Sequence, residues 1–112
     1  MTVTVSLHNT EDNYFEQVLV EDIENKDCFT YVDNDLNNCE MCIYDDGICF
    51  FKQAKDYLLE LHLKDMGYCK ISSEEGILKF EAKVVDFKCN SDILVMRYIV
   101  NDEERIIEIK YS

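Results

Sequence analysis

The stretch Gly76–Tyr111, GILKFEAKVVDFKCNSDILVMRYIVNDEERIIEIKY, decides the fold. It reads as three β-strands in succession, ILKFEAKVVDF, DILVMRYIV and ERIIEIKY, with tight connections at CNSD and NDE. Leu78, Phe80, Ala82 and Val84 share one face, and Lys79, Glu81 and Lys83 share the other. At Val84-Val85 the apolar phase slips by one residue, and Val85 and Phe87 carry it on. Such a slip predicts a β-bulge, the device that bends a strand around a barrel. Ile93–Val100 is apolar on both faces apart from Arg97, which predicts cover on both sides. The last strand directs Ile107, Ile109 and Tyr111 inward and Glu104, Glu108 and Lys110 outward.

Upstream, the period of two continues. Thr2–His8 is a strand with Val3, Val5 and Leu7 on one side. NTEDN turns the chain into Tyr14–Ile23, whose buried face is ambiguous between Phe15, Leu19, Ile23 and Val18, Val20. A short strand, Cys28–Val32, leads into the loop DNDLNN, where Asn and Asp bond to their own main chain. Glu40–Tyr44 and Ile48–Lys52 flank a hairpin turn at Asp45-Asp46-Gly47, with Gly47 supplying a positive φ. Tyr57–Lys64 alternates strictly, which favours a strand over the competing helix from Lys52 to Lys64. KDMG turns into Tyr68–Ser72, and SEEG turns into the opening stretch. About ten short strands at roughly 8–12-residue spacing predict an all-β sandwich or barrel. Short turns favour antiparallel neighbours, and closure removes exposed edges. The expectation is a single domain over 1–112, a small antiparallel, mostly up-and-down β-barrel of about 8–10 strands.

The chain has 112 residues, 47% hydrophobic and 31% charged, a balance suited to one globular core. No apolar run is long enough to span a bilayer and the N-terminus shows no secretory pattern, so the expected location is cytoplasmic. The net charge is −13, from 24 acidic and 11 basic residues, which argues against direct binding of nucleic acid or anionic membranes. Six cysteines, Cys28, Cys39, Cys42, Cys49, Cys69 and Cys89, are expected to be reduced thiols in that compartment.

The order from Tyr57 to Tyr111 resembles the YwiB-like calycin β-barrel family, small bacterial proteins of unknown function. A leucine-alternating strand is followed by a strand led by Gly67-Tyr68 and then by Gly76-Ile77-Leu78-Lys79-Phe80. An apolar strand holding Arg97-Tyr98-Ile99-Val100 and a charged-alternating last strand complete the pattern. The upstream hairpin Asp46–Phe51 is similar in style. The resemblance implies a lipocalin-like, mostly up-and-down barrel, and implies no activity or functional residues.

Candidate chemistry is sparse. Cys39-Glu-Met-Cys42 is the one C-x-x-C; on a strand its cysteines face opposite sides, and zinc requires four ligands. Asp33-Asn-Asp35-Leu-Asn37 begins like a calcium loop, but Asn38 stands where Gly is needed and Tyr44 where Glu is needed. His8 and His62 lack a nucleophile on the same face. Arg97 puts one guanidinium on an apolar face, where it either pairs locally or recognises an anion. Tyr57, Tyr68, Tyr98 and Tyr111 fall on candidate inward faces and, with Arg97, form the expected ligand-orienting set. The reading is a non-enzymatic barrel, monomer or weak homodimer, with no cofactor and no metal, binding a small, partly apolar ligand inside. An acidic protein-interaction module that mimics nucleic acid, with a filled barrel, is the alternative.

Overall fold

The computed structural model describes residues 1–11, 13–64 and 66–112. The expected turns NTEDN and KDMG each contain one residue outside that set, Asp12 and Asp65. The described residues form ten strands and no helix: β1 Val3–Asn9, β2 Tyr14–Val20, β3 Cys28–Val32, β4 Asn38–Tyr44, β5 Gly47–Gln53, β6 Tyr57–Leu63, β7 Tyr68–Ser73, β8 Gly76–Cys89, β9 Ile93–Val100 and β10 Glu103–Tyr111. Every strand pair is antiparallel, in the order β2-β1-β10-β9-β8-β7-β6-β5-β4-β3. From β3 to β10 the chain runs up and down, and β10 then pairs with β1 near the chain's other end. The result is a nearly closed barrel whose one unpaired seam lies between β2 and β3.

Local chemistry accounts for the turns. Asn101 and Asp102, between β9 and β10, both take positive φ, the conformation of a two-residue hairpin turn and one that Asn and Asp tolerate. Gly47 has φ +157°, and a Cβ there would stand 2.0 Å from the Leu63 carbonyl oxygen. Asp33 Oδ1 accepts main-chain N–H bonds from Asp35 (3.0 Å) and Asn37 (2.8 Å), which winds the DNDLNN loop around one carboxylate.

β8 is the corner of the barrel. Its first half pairs with β7 and its second half, from Ala82, with β9. Val84 pairs with Tyr98 and Asp86 with Arg97, so Val85 is the extra residue of the bulge. The phase slip at Val84-Val85 therefore marks the bend, and Val85 itself projects outward, 53% exposed.

The interior follows from alternation. Val3, Val5, Met41, Ile48, Leu63, Leu94, Met96, Ile107 and Ile109 are buried to below 2% exposure. Burial of each such side chain contributes about 1.5–3 kcal/mol. In β2 the ambiguity resolves toward Val18 and Val20, while Phe15 and Leu19 project outward and are exposed. That choice also places Glu16 inside. The outer face of β9 is not covered by another element, contrary to the expectation from its two apolar faces. Ile93, Val95 and Ile99 are half-buried there because Lys110, Glu108, Lys88, Glu104 and Lys83 flank them in register, and such stems cover apolar surface.

Candidate functional site

A cleft of about 290 Å³ opens into one end of the barrel. Phe50, Leu59, Leu61 and Ile107 supply its apolar floor, Tyr98 and Cys69 its wall, and Arg105, Lys52, Asn9 and Tyr14 its polar side. Seven of the strands, β1, β2, β5, β6, β7, β9 and β10, each bring at least one inward residue to it, so pairing register holds the site together.

The strand register explains which side chains meet. Arg105 has the same parity as Ile107 and Ile109 and pairs with Asn9 on one side and Tyr98 on the other. Its guanidinium bonds Glu103 Oε2 at 3.2 Å, and Asn9 Nδ2 donates to the same oxygen at 3.2 Å. Arg105 Nε is buried and has no hydrogen-bond partner among the described residues, while the Arg105 side chain also bonds the Tyr98 phenol. A buried donor without an acceptor costs free energy, and an acceptor delivered to it recovers that cost. The Tyr98 phenol is pushed far up by burial, the nearby Arg105 charge offsetting only part of the effect, so it stays a neutral hydroxyl.

The second cation, Lys52, is inward on β5 and pairs with Asp33 at 3.1 Å. Asp33 is 4% exposed. Burial works to raise its pKa, but the Asn37 N–H and the Lys52 ammonium outweigh burial and hold the carboxyl below its usual range. Burial pulls Lys52 down, and its bond to Asp33 more than reverses that. Glu16 lies beside them, raised first by burial and then by the Asp33 charge. Glu16 Oε2 accepts the Asn34 N–H at 3.4 Å, and Asn34 Nδ2 donates to Gln17 O at 3.4 Å. These bonds cross the seam where β2 and β3 do not pair. Asp33 is thus not a cation ligand: both its oxygens are occupied by donors from the loop and from Lys52.

The expected set scatters. Tyr98 lines the cleft. Tyr57 does not line it; it is 37% exposed, one inward step beyond Leu59. Tyr111 faces inward but pairs with Val3, at the opposite end of β10 from Arg105. Tyr68 is not inward: it stacks on His62 at 4.3 Å, with the Lys79 ammonium 4.4 Å from its ring centre. Arg97 is not inward either. Its side chain is 46% exposed and pairs with Glu104 on β10, with Nε to Oε1 at 2.9 Å. The inward-facing guanidinium, which the sequence reading missed, is Arg105, at the mouth of the cleft with its side chain 37% exposed. Its signal was the parity of Ile107, Ile109 and Tyr111 extended two residues toward the N-terminus.

Two expectations about the cysteines divide. Cys39 and Cys42 do face opposite sides: Cys39 is buried, with burial and the Asp33 charge pushing its thiol up to about 12, and Cys42 lies on the outer face. The cysteines are not all thiols, however. Cys28 and Cys42 stand directly opposite on β3 and β4, Cα atoms 4.1 Å apart, and form a disulfide. Cys39, Cys49, Cys69 and Cys89 are free. Glu40 brings a carboxylate oxygen within 4.8 Å of both bridged sulfurs, the one such metal-competent group among the described residues. Zinc needs four ligands, and two of these three donors are bonded to each other.

Fold and cleft together define a small, nearly closed antiparallel β-barrel with a half-polar opening into its interior. A crystal structure of the ywiB protein from Bacillus subtilis is similar to the chain, with 13% sequence identity and a TM-score of 0.42, covering 99% of this chain and 90% of that one. No family model matches the chain, and no curated protein matches it. Among the described residues no helix is long and apolar enough to cross a membrane.

Proposed function

We propose that the chain is a lipocalin-like, non-enzymatic barrel that binds a small, partly apolar molecule in the cleft. The ligand's apolar body lies on Phe50, Leu59, Leu61 and Ile107, and an acceptor oxygen faces Arg105 Nε and the Tyr98 hydroxyl. One observation carries the reading: a buried guanidinium nitrogen without a partner among the described residues, beside an apolar floor. The cleft volume, about 290 Å³, sits at the low end of ligand pockets, roughly 300 Å³, so the ligand is small.

Titration with the fluorophore 1-anilinonaphthalene-8-sulfonate, which joins apolar rings to an anionic oxygen group, tests this. One saturable site is expected on the folded protein, weakened roughly tenfold by Arg105→Gln through loss of a charge-assisted bond worth about 1.5 kcal/mol or more. Leu61→Trp, which fills the floor, should abolish it. Arg97→Gln, on the outer face, should leave it unchanged. Equal binding by wild type and Leu61→Trp would place the fluorophore elsewhere and sink the proposal.

A further inference from the structure

The outer face of the barrel carries a row of sulfur and nitrogen groups that the cleft does not use. Cys28 on β3 stands opposite Cys42 on β4, Cys42 opposite Cys49 on β5, and Cys49 opposite His62 on β6. The four residues are therefore neighbours in one line across four strands, spaced by the inter-strand distance of about 4.8 Å. Cys28 and Cys42 are bridged; Cys49 is a free thiol, 6% exposed. His62, expected to lack a nucleophile on its face, has one directly across the ladder: its Nδ1 lies 3.4 Å from Cys49 Sγ, a pairing set by β5–β6 register rather than by neighbours in sequence. Tyr68 stacks on one face of that imidazole at 4.3 Å and Phe51 meets it edge-on at 5.8 Å, so the ring is held in place.

We propose that this row is a thiol–disulfide exchange site, in which the bridge moves from Cys28–Cys42 to Cys42–Cys49. Displacement at sulfur needs the attacking thiolate, the central sulfur and the leaving sulfur in line. The row supplies that order: Cys49 approaches Cys42 from the side opposite Cys28. His62 Nδ1 takes the Cys49 S–H proton. The Cys49 sulfur pair forms the bond to Cys42 Sγ, and the Cys28–Cys42 bond breaks with its electron pair on Cys28. Cys28 takes a proton from water, and the imidazolium returns its own to solvent. One disulfide and one thiol exist before and after, so no oxidant or reductant is consumed. Burial pushes the Cys49 thiol up, which leaves it protonated and inert without a base at hand. The exchange moves the free thiol from a buried position to Cys28, which is exposed. An external disulfide, small or protein-borne, then finds an accessible nucleophile on the barrel surface.

The test uses the full chain, isolated oxidised, incubated with N-ethylmaleimide and no reductant, then acid-quenched and mapped by peptide mass spectrometry. Cleavage after Tyr44 separates Cys42 from Cys49. Wild type should gain alkylation at Cys28 in step with a Cys42–Cys49 linked peptide. Cys49→Ser should leave Cys28 bridged to Cys42 and unlabelled, and His62→Gln should give the wild-type product roughly a hundredfold more slowly, the usual scale of a positioned base. The Cys28→Ser variant, oxidised in air, should form Cys42–Cys49 within the monomer, which checks reach without relying on Cys49→Ser folding. Labelling of Cys28 at the same rate in Cys49→Ser, or both thiols of Cys28→Ser remaining free, would overturn the proposal.

Discussion

Three inward charges at the seam carry stability in opposite directions. Asp33 has its carboxyl held below the ordinary range, so its contribution is complete above the unfolded value and is lost as pH falls through the lower folded one. Asp33→Asn strands the Lys52 ammonium, and urea unfolding at neutral pH should show a loss on the order of 3 kcal/mol. Glu16 has the reverse sign. Its carboxyl is raised by burial, so the ionised form costs stability at neutral pH and protonation relieves that cost. Glu16→Gln should raise the thermal midpoint at pH 7, and the gap from wild type should close in acid as Glu16 protonates. A gap that widens in acid would contradict the assignment. Arg97→Gln should barely move the midpoint, because that pair lies in solvent. The two arginines show what the sequence made legible at this scale. Alternation around Ile107 and Ile109 places Arg105 inside, whereas both faces of β9 are apolar, so alternation gave Arg97 no side. Buried Glu16 was harder still, because a carboxylate beside Phe15 and Leu19 reads as surface.

Among elements, β8 was the most readable and β3–β4 the least. A one-residue slip in apolar phase located the bulge at Val85 because a bulge is a change of phase. Val85→Lys should change stability by no more than about 0.5 kcal/mol, since Val85 projects outward. Met96→Ala, at a fully buried position opposite Phe87 and Ile107, should cost about 2–5 kcal/mol. Similar costs for the two, measured by denaturant unfolding, would mean that the register is wrong. The strict alternation of Tyr57–Lys64 likewise decided strand over helix, and β6 has that form. The face of Tyr68 and the Cys28–Cys42 pairing were not readable in the same way. Both depend on which residue stands opposite which across a turn, and the DNDLNN loop does not announce its length in the ladder.

The whole molecule is a meander whose ends meet one strand in from the edge, through β1 and β10, while the seam falls between β2 and β3. The seam is spanned by Glu16, Asn34 and Gln17, next to the Lys52–Asp33 pair at the polar side of the cleft. Opening and cleft are therefore adjacent, and the proposed ligand would reach the apolar floor there without unfolding a paired strand. Binding there would stabilise the barrel in proportion to ligand concentration over its dissociation constant. The most direct measurement is native mass spectrometry of the protein purified from its own host, as wild type, Arg105→Gln and Leu61→Trp. The cleft account predicts a small-molecule adduct on wild type, a smaller bound fraction on Arg105→Gln and none on Leu61→Trp. A bare wild-type mass, or an adduct that survives Leu61→Trp undiminished, would contradict it.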